Sequence, residues 1–287
     1  MAFRLALAQC AHPTDGDVVA LVERFARLAR EQRADLIAFP ECLMTPHEKE
    51  PAEFARAAEP LDGPFRQAVS RIAREYELWI VYAANERAEG GGAQSAEKVE
   101  TRDPSRAERG GTEGDARPYN AAVVVDSAGA RRGVYRKTHL FDAGTHRESS
   151  KMRPGDALFE PIDTPFGRLG LGICYDLRFP EVARAAALRG CEVFILPAAW
   201  VDGPRKAEQW RTLLAARAVE NEMFVAGVCR PDAGCIGESR VVGPDGRVVA
   251  QATGAHETLV IADVDLEDVR AARKAIPVLD RRRPELY

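Results

Sequence analysis

Arg4-Leu-Ala-Leu-Ala-Gln-Cys10 and Arg168-Leu-Gly-Leu-Gly-Ile-Cys174 are one pattern written twice, identical at four of seven positions. Each is a short apolar run of the kind that forms a strand covered on both faces. The segments downstream of the two copies also match. An amphipathic helical stretch comes next, at 18–33 in the first half and 180–189 in the second. Then a buried strand ends in proline, Asp35-Leu-Ile-Ala-Phe-Pro40 and Glu192-Val-Phe-Ile-Leu-Pro197. Second helices at 64–76 and 206–222 precede the strands Leu78-Trp-Ile-Val-Tyr-Ala-Ala84 and Met223-Phe-Val-Ala-Gly-Val228. Each half closes on a hairpin with a glycine in its turn. Strand 120–126 turns through Ser127-Ala-Gly129 into 131–135, and strand 238–243 turns through Pro244-Asp-Gly246 into 247–251.

Strands alternating with helices imply a layered α/β protein. Two matching halves imply two sheets packed face to face with helices outside both, a four-layer α-β-β-α sandwich. Chance similarity is the alternative, since α/β sequences share strand composition, but the matching order of elements favours duplication. The expected organisation is one domain over 1–265 and a charged tail over 266–287, interrupted by Pro277 and Pro284, lying on its own or a partner subunit. One segment breaks the pattern. Residues 87–118 carry thirteen charges of nearly balanced sign and one aliphatic residue larger than alanine, Val99. Such a stretch buries too little apolar area to offset its ordering entropy, so a disordered insert between two strands is expected.

Composition narrows the function. A formal charge of −4 on 287 residues, mixed in sign, recruits neither nucleic acid nor an anionic membrane. The first residues, with Arg4 inside their apolar run, lack a signal-peptide core. No stretch reaches the ~18 apolar residues of a membrane span. A cytoplasmic location is therefore expected. The six cysteines (10, 42, 174, 191, 229 and 235) show no CxxC spacing, and the five histidines form no HxH or HExxH pair. Neither a disulfide framework nor a metal site or cofactor is expected.

Three islands can carry chemistry. In Gly170-Leu-Gly-Ile-Cys-Tyr-Asp-Leu-Arg-Phe-Pro-Glu181 an apolar strand ends at Cys174, and Pro180 opens a helix just beyond. A thiol there is placed to be a nucleophile beside backbone N–H groups; the alternative is that it merely ends a buried strand, the place Cys10 takes in the first copy. Phe39-Pro-Glu-Cys42 puts Glu41 at the end of a buried strand, and Tyr135-Arg-Lys-Thr-His-Leu-Phe-Asp142 puts Lys137 just past another. Alone, each of these two is by default a solvated charge. Together, a thiol, a base and an ammonium make an acyl-transfer site.

These islands, in this order, resemble the nitrilase superfamily of carbon–nitrogen hydrolases across nearly the whole chain apart from the insert. The resemblance implies the four-layer sandwich. It also implies Cys174 as nucleophile, Glu41 as general base, Lys137 as oxyanion-stabilising cation and the Tyr175 N–H in the oxyanion hole. Glu148, in Arg147-Glu-Ser149, would orient Lys137 and the attacking water. Asp176, Arg178 and Glu181 would tie the nucleophile turn to its helix. The helix around 209–221 and the tail would pack between subunits of a homodimer or larger homo-oligomer.

His139-Leu-Phe-Asp142 with Arg147-Glu-Ser149 looks most like the branch of omega-amidases and deaminated-glutathione amidases. Two departures stand out. Ala143-Gly-Thr-His-Arg147 is shorter than the usual loop and lacks its Pro-Gly, and Gln209 replaces a frequent histidine before Trp210. The implied reaction is hydrolysis of a small linear amide through a cysteine thioester, with release of ammonia and a carboxylate. Hydrolysis of an N-carbamoyl amine or a nitrile by the same residues is the alternative, and a catalytically silent binding protein is a third. Arg178, Arg205 and Arg230 are the candidates for holding a substrate carboxylate.

Overall fold

The computed structural model describes residues 2–87, 115 and 117–286. The expectation of a disordered insert over 87–118 falls mostly outside these residues. The first half supplies β1 (Ala2–Gln9), α1 (Val18–Glu31), β2 (Leu36–Ala38), α2 (Pro51–Ala57), α3 (Pro64–Glu75), β3 (Trp79–Glu86), β4 (Tyr119–Val125) and β5 (Arg131–Arg136). A small hairpin, β6 (Asp142–Ala143) and β7 (His146–Arg147), leads onward. The second half supplies β8 (Ile162–Thr164), β9 (Gly167–Leu171), α4 (Pro180–Leu188), β10 (Val193–Ala198), α5 (Lys206–Asn221), β11 (Phe224–Cys229), β12 (Arg240–Val242) and β13 (Val248–Gln251). β14 (Thr258–Asp265) and α6 (Leu266–Ala275) close the chain.

Two six-stranded sheets result, in the orders β14-β1-β2-β3-β4-β5 and β13-β12-β11-β10-β9-β8. The duplication is explicit in the pairing. β1, β2 and β3 run parallel and continue antiparallel into β4 and β5. β9, β10 and β11 run parallel and continue antiparallel into β12 and β13. Side-chain alternation then builds the layers. In the first sheet Leu5, Leu7, Trp79, Val81 and Val124 pack in one cluster with Leu169, Leu171 and Ile195 of the second sheet. Their neighbours Ala6, Ala8, Ile80, Tyr82 and Val125 pack outward on Leu21, Val22 and Phe25 of α1 and Val69 and Ile72 of α3. On the far side α4 and α5 cover the second sheet. This is the α-β-β-α sandwich expected from the repeat.

The edges depart from the repeat. β14 crosses back to the first sheet and pairs antiparallel with β1, setting Ala2 opposite Asp265. The tail then begins as α6, which buries Leu266 and Val269. Further on, the N–H groups of Val278 and Leu279 donate to the Glu222 carboxylate at 3.0 and 3.3 Å. The tail therefore lies over the end of α5 in its own chain.

Candidate active site

The parallel strands of both sheets end at one rim of the seam. β2 ends at Ala38, and Phe39 and Pro40 lead to Glu41, with Cys42 after it in left-handed backbone (φ 57°). β5 ends at Arg136, and Lys137 stays in register because its N–H still donates to the Asn120 carbonyl at 2.8 Å. β9 ends at Leu171 and not at Cys174. Two further residues lead to Cys174, which opens a 3-10 turn, Cys174–Arg178, with φ 45°. That conformation costs a non-glycine residue about 1–3 kcal/mol, a cost the surrounding packing must carry. Glu148 follows the β6–β7 hairpin at the start of a second 3-10 turn, Glu148–Ser150.

These segments bring the four predicted side chains together. The Lys137 ammonium donates to Glu41 Oε1 at 2.8 Å and to Glu148 Oε2 and Oε1 at 2.7 and 3.0 Å. The Cys174 thiol shares the cavity with the Glu41 carboxylate and the Lys137 ammonium and lies within electrostatic reach of both. Glu41, Lys137 and Cys174 are 3%, 2% and 8% exposed, so their charges interact with little screening by water. One lysine between two carboxylates leaves an excess negative charge, and amide donors offset it. Asn120 Nδ2 reaches Glu41 Oε1 at 2.8 Å and Glu148 Oε1 at 3.1 Å. The N–H groups of Ala199 and Phe141 donate to Glu41 Oε2 at 2.8 Å and Glu148 Oε2 at 2.7 Å. Asn120 is not among the residues that the sequence singles out. Its only signal there is a polar residue opening an otherwise apolar strand, which must find partners when buried.

The protonation pattern follows from these contacts. Burial alone would raise the Glu41 carboxyl, but the Lys137 ammonium and the Ala199 N–H outweigh it and hold Glu41 below its ordinary range. Burial alone would lower Lys137, yet Glu148 and Glu41 drive it well above the ordinary lysine value. For Cys174, burial and the Glu41 charge act in the same direction and push the thiol well up. The resting site is thus a thiol, a carboxylate and an ammonium.

Asp176 anchors the nucleophile turn, though not in the way expected. Its Oδ2 accepts from the Ile173 N–H and the Tyr135 hydroxyl, both at 2.8 Å, and its Oδ1 lies 2.7 Å from His139 Nδ1. These bonds tie the turn to the segment that carries Lys137, not to α4. Arg178 bonds Gln209 of α5 at 2.8 Å, and Glu181 is exposed. The replacement at Gln209 therefore contacts an arginine.

A cavity of about 330 Å³ opens over Cys174, Lys137 and Glu41, walled by Phe54, Phe141 and Met152. Of the three arginine candidates, Arg230 is spent: it pairs with Asp232 through two nitrogens at 2.8 and 2.6 Å and donates to the Cys42 carbonyl at 2.6 Å. Arg205 pairs with Glu208 with its side chain 76% exposed. Arg178 stacks over Trp200 at 4.6 Å. Among the described residues no cluster of His, Cys, Asp and Glu could hold a metal ion, and no helix is long and apolar enough to cross a membrane.

A duplicated α-β-β-α sandwich with these groups at its seam is the architecture of a nitrilase-superfamily hydrolase. The chain belongs to the carbon–nitrogen hydrolase family, which matches it over residues 4–274. It is 34% identical to the omega-amidase NIT2 of Homo sapiens over 298 residues, 99% of this chain and 96% of that protein. With the deaminated glutathione amidase of Homo sapiens it shares 34% over 252 residues, 83% and 69% of the two chains. Among solved structures, a mutant of the amidase from Nesterenkonia sp. AN1 superposes with a TM-score of 0.76 at 27% identity, covering 99% of this chain and 95% of that one. That structure shows the acetamide moiety of fluoroacetamide added covalently at the active-site cysteine.

Proposed function

We propose that this protein is an amidase that cleaves a small linear amide through a thioester at Cys174. The observation that carries the reading is the Cys174 thiol in one cavity with a buried carboxylate, Glu41, which is itself held ionised by Lys137 at 2.8 Å. Because the resting thiol is protonated, Glu41 removes its proton as the sulfur attacks the amide carbon. The developing oxyanion is stabilised by the Lys137 ammonium and the Tyr175 N–H. Collapse of the adduct breaks the C–N bond, and the proton held by Glu41 passes to the leaving nitrogen, which departs as ammonia. A water, oriented by Glu148, then gives its proton to Glu41 and attacks the thioester. The second adduct releases the carboxylate product and returns the proton to sulfur, so one water is consumed per amide.

Six free thiols among the described cysteines suit a reducing compartment, and we place the protein in the cytoplasm. We further propose a homodimer or larger homo-oligomer, in which a second copy covers Val219, Ile276 and Leu286, now 47%, 70% and 63% exposed.

Ammonia release from a panel of small amides, N-carbamoyl amino acids and nitriles tests the chemistry, with Cys174→Ala alongside. The expected outcome is amide turnover that falls at least about a thousandfold in the mutant. Turnover confined to carbamoyl compounds or nitriles would reassign the substrate, and undiminished turnover by Cys174→Ala would sink the thioester.

A further inference from the structure

Two buried carboxylates that share one ammonium do not both stay ionised unaided, because each charge makes the other costlier. Glu41 and Glu148 are such a pair on Lys137. Among the described residues one other group donates to both. Asn120 Nδ2 lies 2.8 Å from Glu41 Oε1 and 3.1 Å from Glu148 Oε1. A primary amide carries two N–H hydrogens, so each carboxylate receives one. The amide thus adds donors to both anions without adding a titratable group.

The register delivers these donors together with the lysine. Asn120 of β4 pairs with Asn85 of β3, and Ala121 pairs with Arg136 of β5. Just past that last pair the Lys137 N–H donates to the Asn120 carbonyl at 2.8 Å. One residue therefore fixes the lysine backbone and both of the carboxylates that the lysine faces. Asn120 is 4% exposed, so water does not replace its amide readily.

Without that amide the two acids are served unequally. Glu148 keeps two bonds from Lys137 and the Phe141 N–H, whereas Glu41 keeps one from Lys137 and the Ala199 N–H. The other titratable groups around the pair are Cys174 on the nucleophile turn, Cys42 and His47 after β2, and Cys229 and Cys235 at and beyond the end of β11. Burial holds the thiols protonated and keeps His47 neutral to lower pH than usual. The nearby cation Arg230 is spent on Asp232.

We propose that Asn120 is a positioning residue that keeps Glu41 and Glu148 ionised together, so that Glu41 is an unprotonated base when the amide arrives. For its effect on turnover this rests on the amidase reading of Cys174.

The test follows two acid limbs. One is that of kcat/KM for the best neutral amide of the panel. The other, which needs no turnover, is that of Cys174 alkylation by iodoacetamide, read by peptide mass spectrometry. Wild type is compared with Asn120→Leu, Asn120→Asp and Asn85→Leu. Asn85 is the neighbouring buried asparagine, and its amide donates to Thr45 Oγ1 at 2.8 Å. Donors to the ionised form lower a carboxyl pKa, so their loss raises it. Both limbs should move up by about 1–2 pH units in Asn120→Leu and stay in place in Asn85→Leu. In Asn120→Asp the new carboxyl donates only while protonated. That variant should therefore lose activity as pH rises toward neutrality, a limb absent from the wild type, and it carries the test if Asn120→Leu does not fold. Unmoved limbs in the Asn120 variants, with rates lowered equally at every pH, overturn the assignment, as does an equal shift in Asn85→Leu. A shifted alkylation limb in a protein whose wild type hydrolyses no amide overturns the amidase reading and leaves Asn120 in its role.

Discussion

Glu41 is held by three fixed donors, Lys137 and Asn120 on Oε1 and the Ala199 N–H on Oε2, which leaves a lone pair on Oε2 to receive the thiol proton. A carboxylate so solvated by fixed donors needs no reorganisation to receive a proton from sulfur, and its geometry is set before substrate arrives. A pH dependence follows from the directions of the shifts. Glu41 lies below its ordinary value of 4.5 and so stays ionised to lower pH, and Lys137 lies above 10.5 and so stays charged to higher pH. For a neutral amide, the acid limb of kcat/KM should therefore fall below 4.5 and the limb from lysine deprotonation above 10.5. A group titrating near neutrality in that profile would point to a base other than Glu41. At this scale the sequence was readable where a residue type is unusual for its place: a thiol, an acid and a lysine each just past a buried strand. Asn120 was not readable, because an asparagine near the start of a strand has ordinary structural reasons to be there.

Elements hold these residues still through close packing, and α5 shows how. Gly227 of β11 lies beneath it, where an added Cβ would meet Trp210 Cζ2 at 2.5 Å and Leu214 Cδ1 at 2.9 Å. Gly227→Ala is expected to destabilise the fold by about 1–3 kcal/mol, read from urea unfolding, because the indole must move. Trp210 packs on Trp200 with ring centres 5.2 Å apart, and Trp200 in turn faces Arg178 and Lys206. The variant should therefore also loosen the packing of Trp200; native stability in Gly227→Ala would show that α5 has slack. Long periodic elements such as α1, α3 and α5 were evident from their apolar spacing. The short ones, α2, β8 and the β6–β7 hairpin, were not, since two to seven residues carry too little period to register.

At the scale of the whole molecule, the repeat foretold two sheets but not how their edges close. β1 to β5 and β9 to β13 follow one plan, while β14 and β8 fill the remaining edges from opposite ends of the second half. β14 was not read as a strand at all, and periodicity could in any case report only that a segment is a strand, not which distant strand it will meet. Removing it tests its weight. A chain ending at residue 257 would leave β1 as an open, apolar edge and strip the cover from one side of the sheet. It should form aggregates by size-exclusion chromatography and release no ammonia; a monodisperse, active truncation would make the strand dispensable.

The pairing of Ala2 with Asp265 also has a timetable. At roughly 5–20 residues per second of translation, β1 leaves the ribosome roughly 10–50 s before its partner is made. For that interval the nascent first half carries a parallel three-strand core with one edge unfilled. The sheet becomes whole only after the entire second half has been made, so completion of the first sheet is coupled to synthesis of the second.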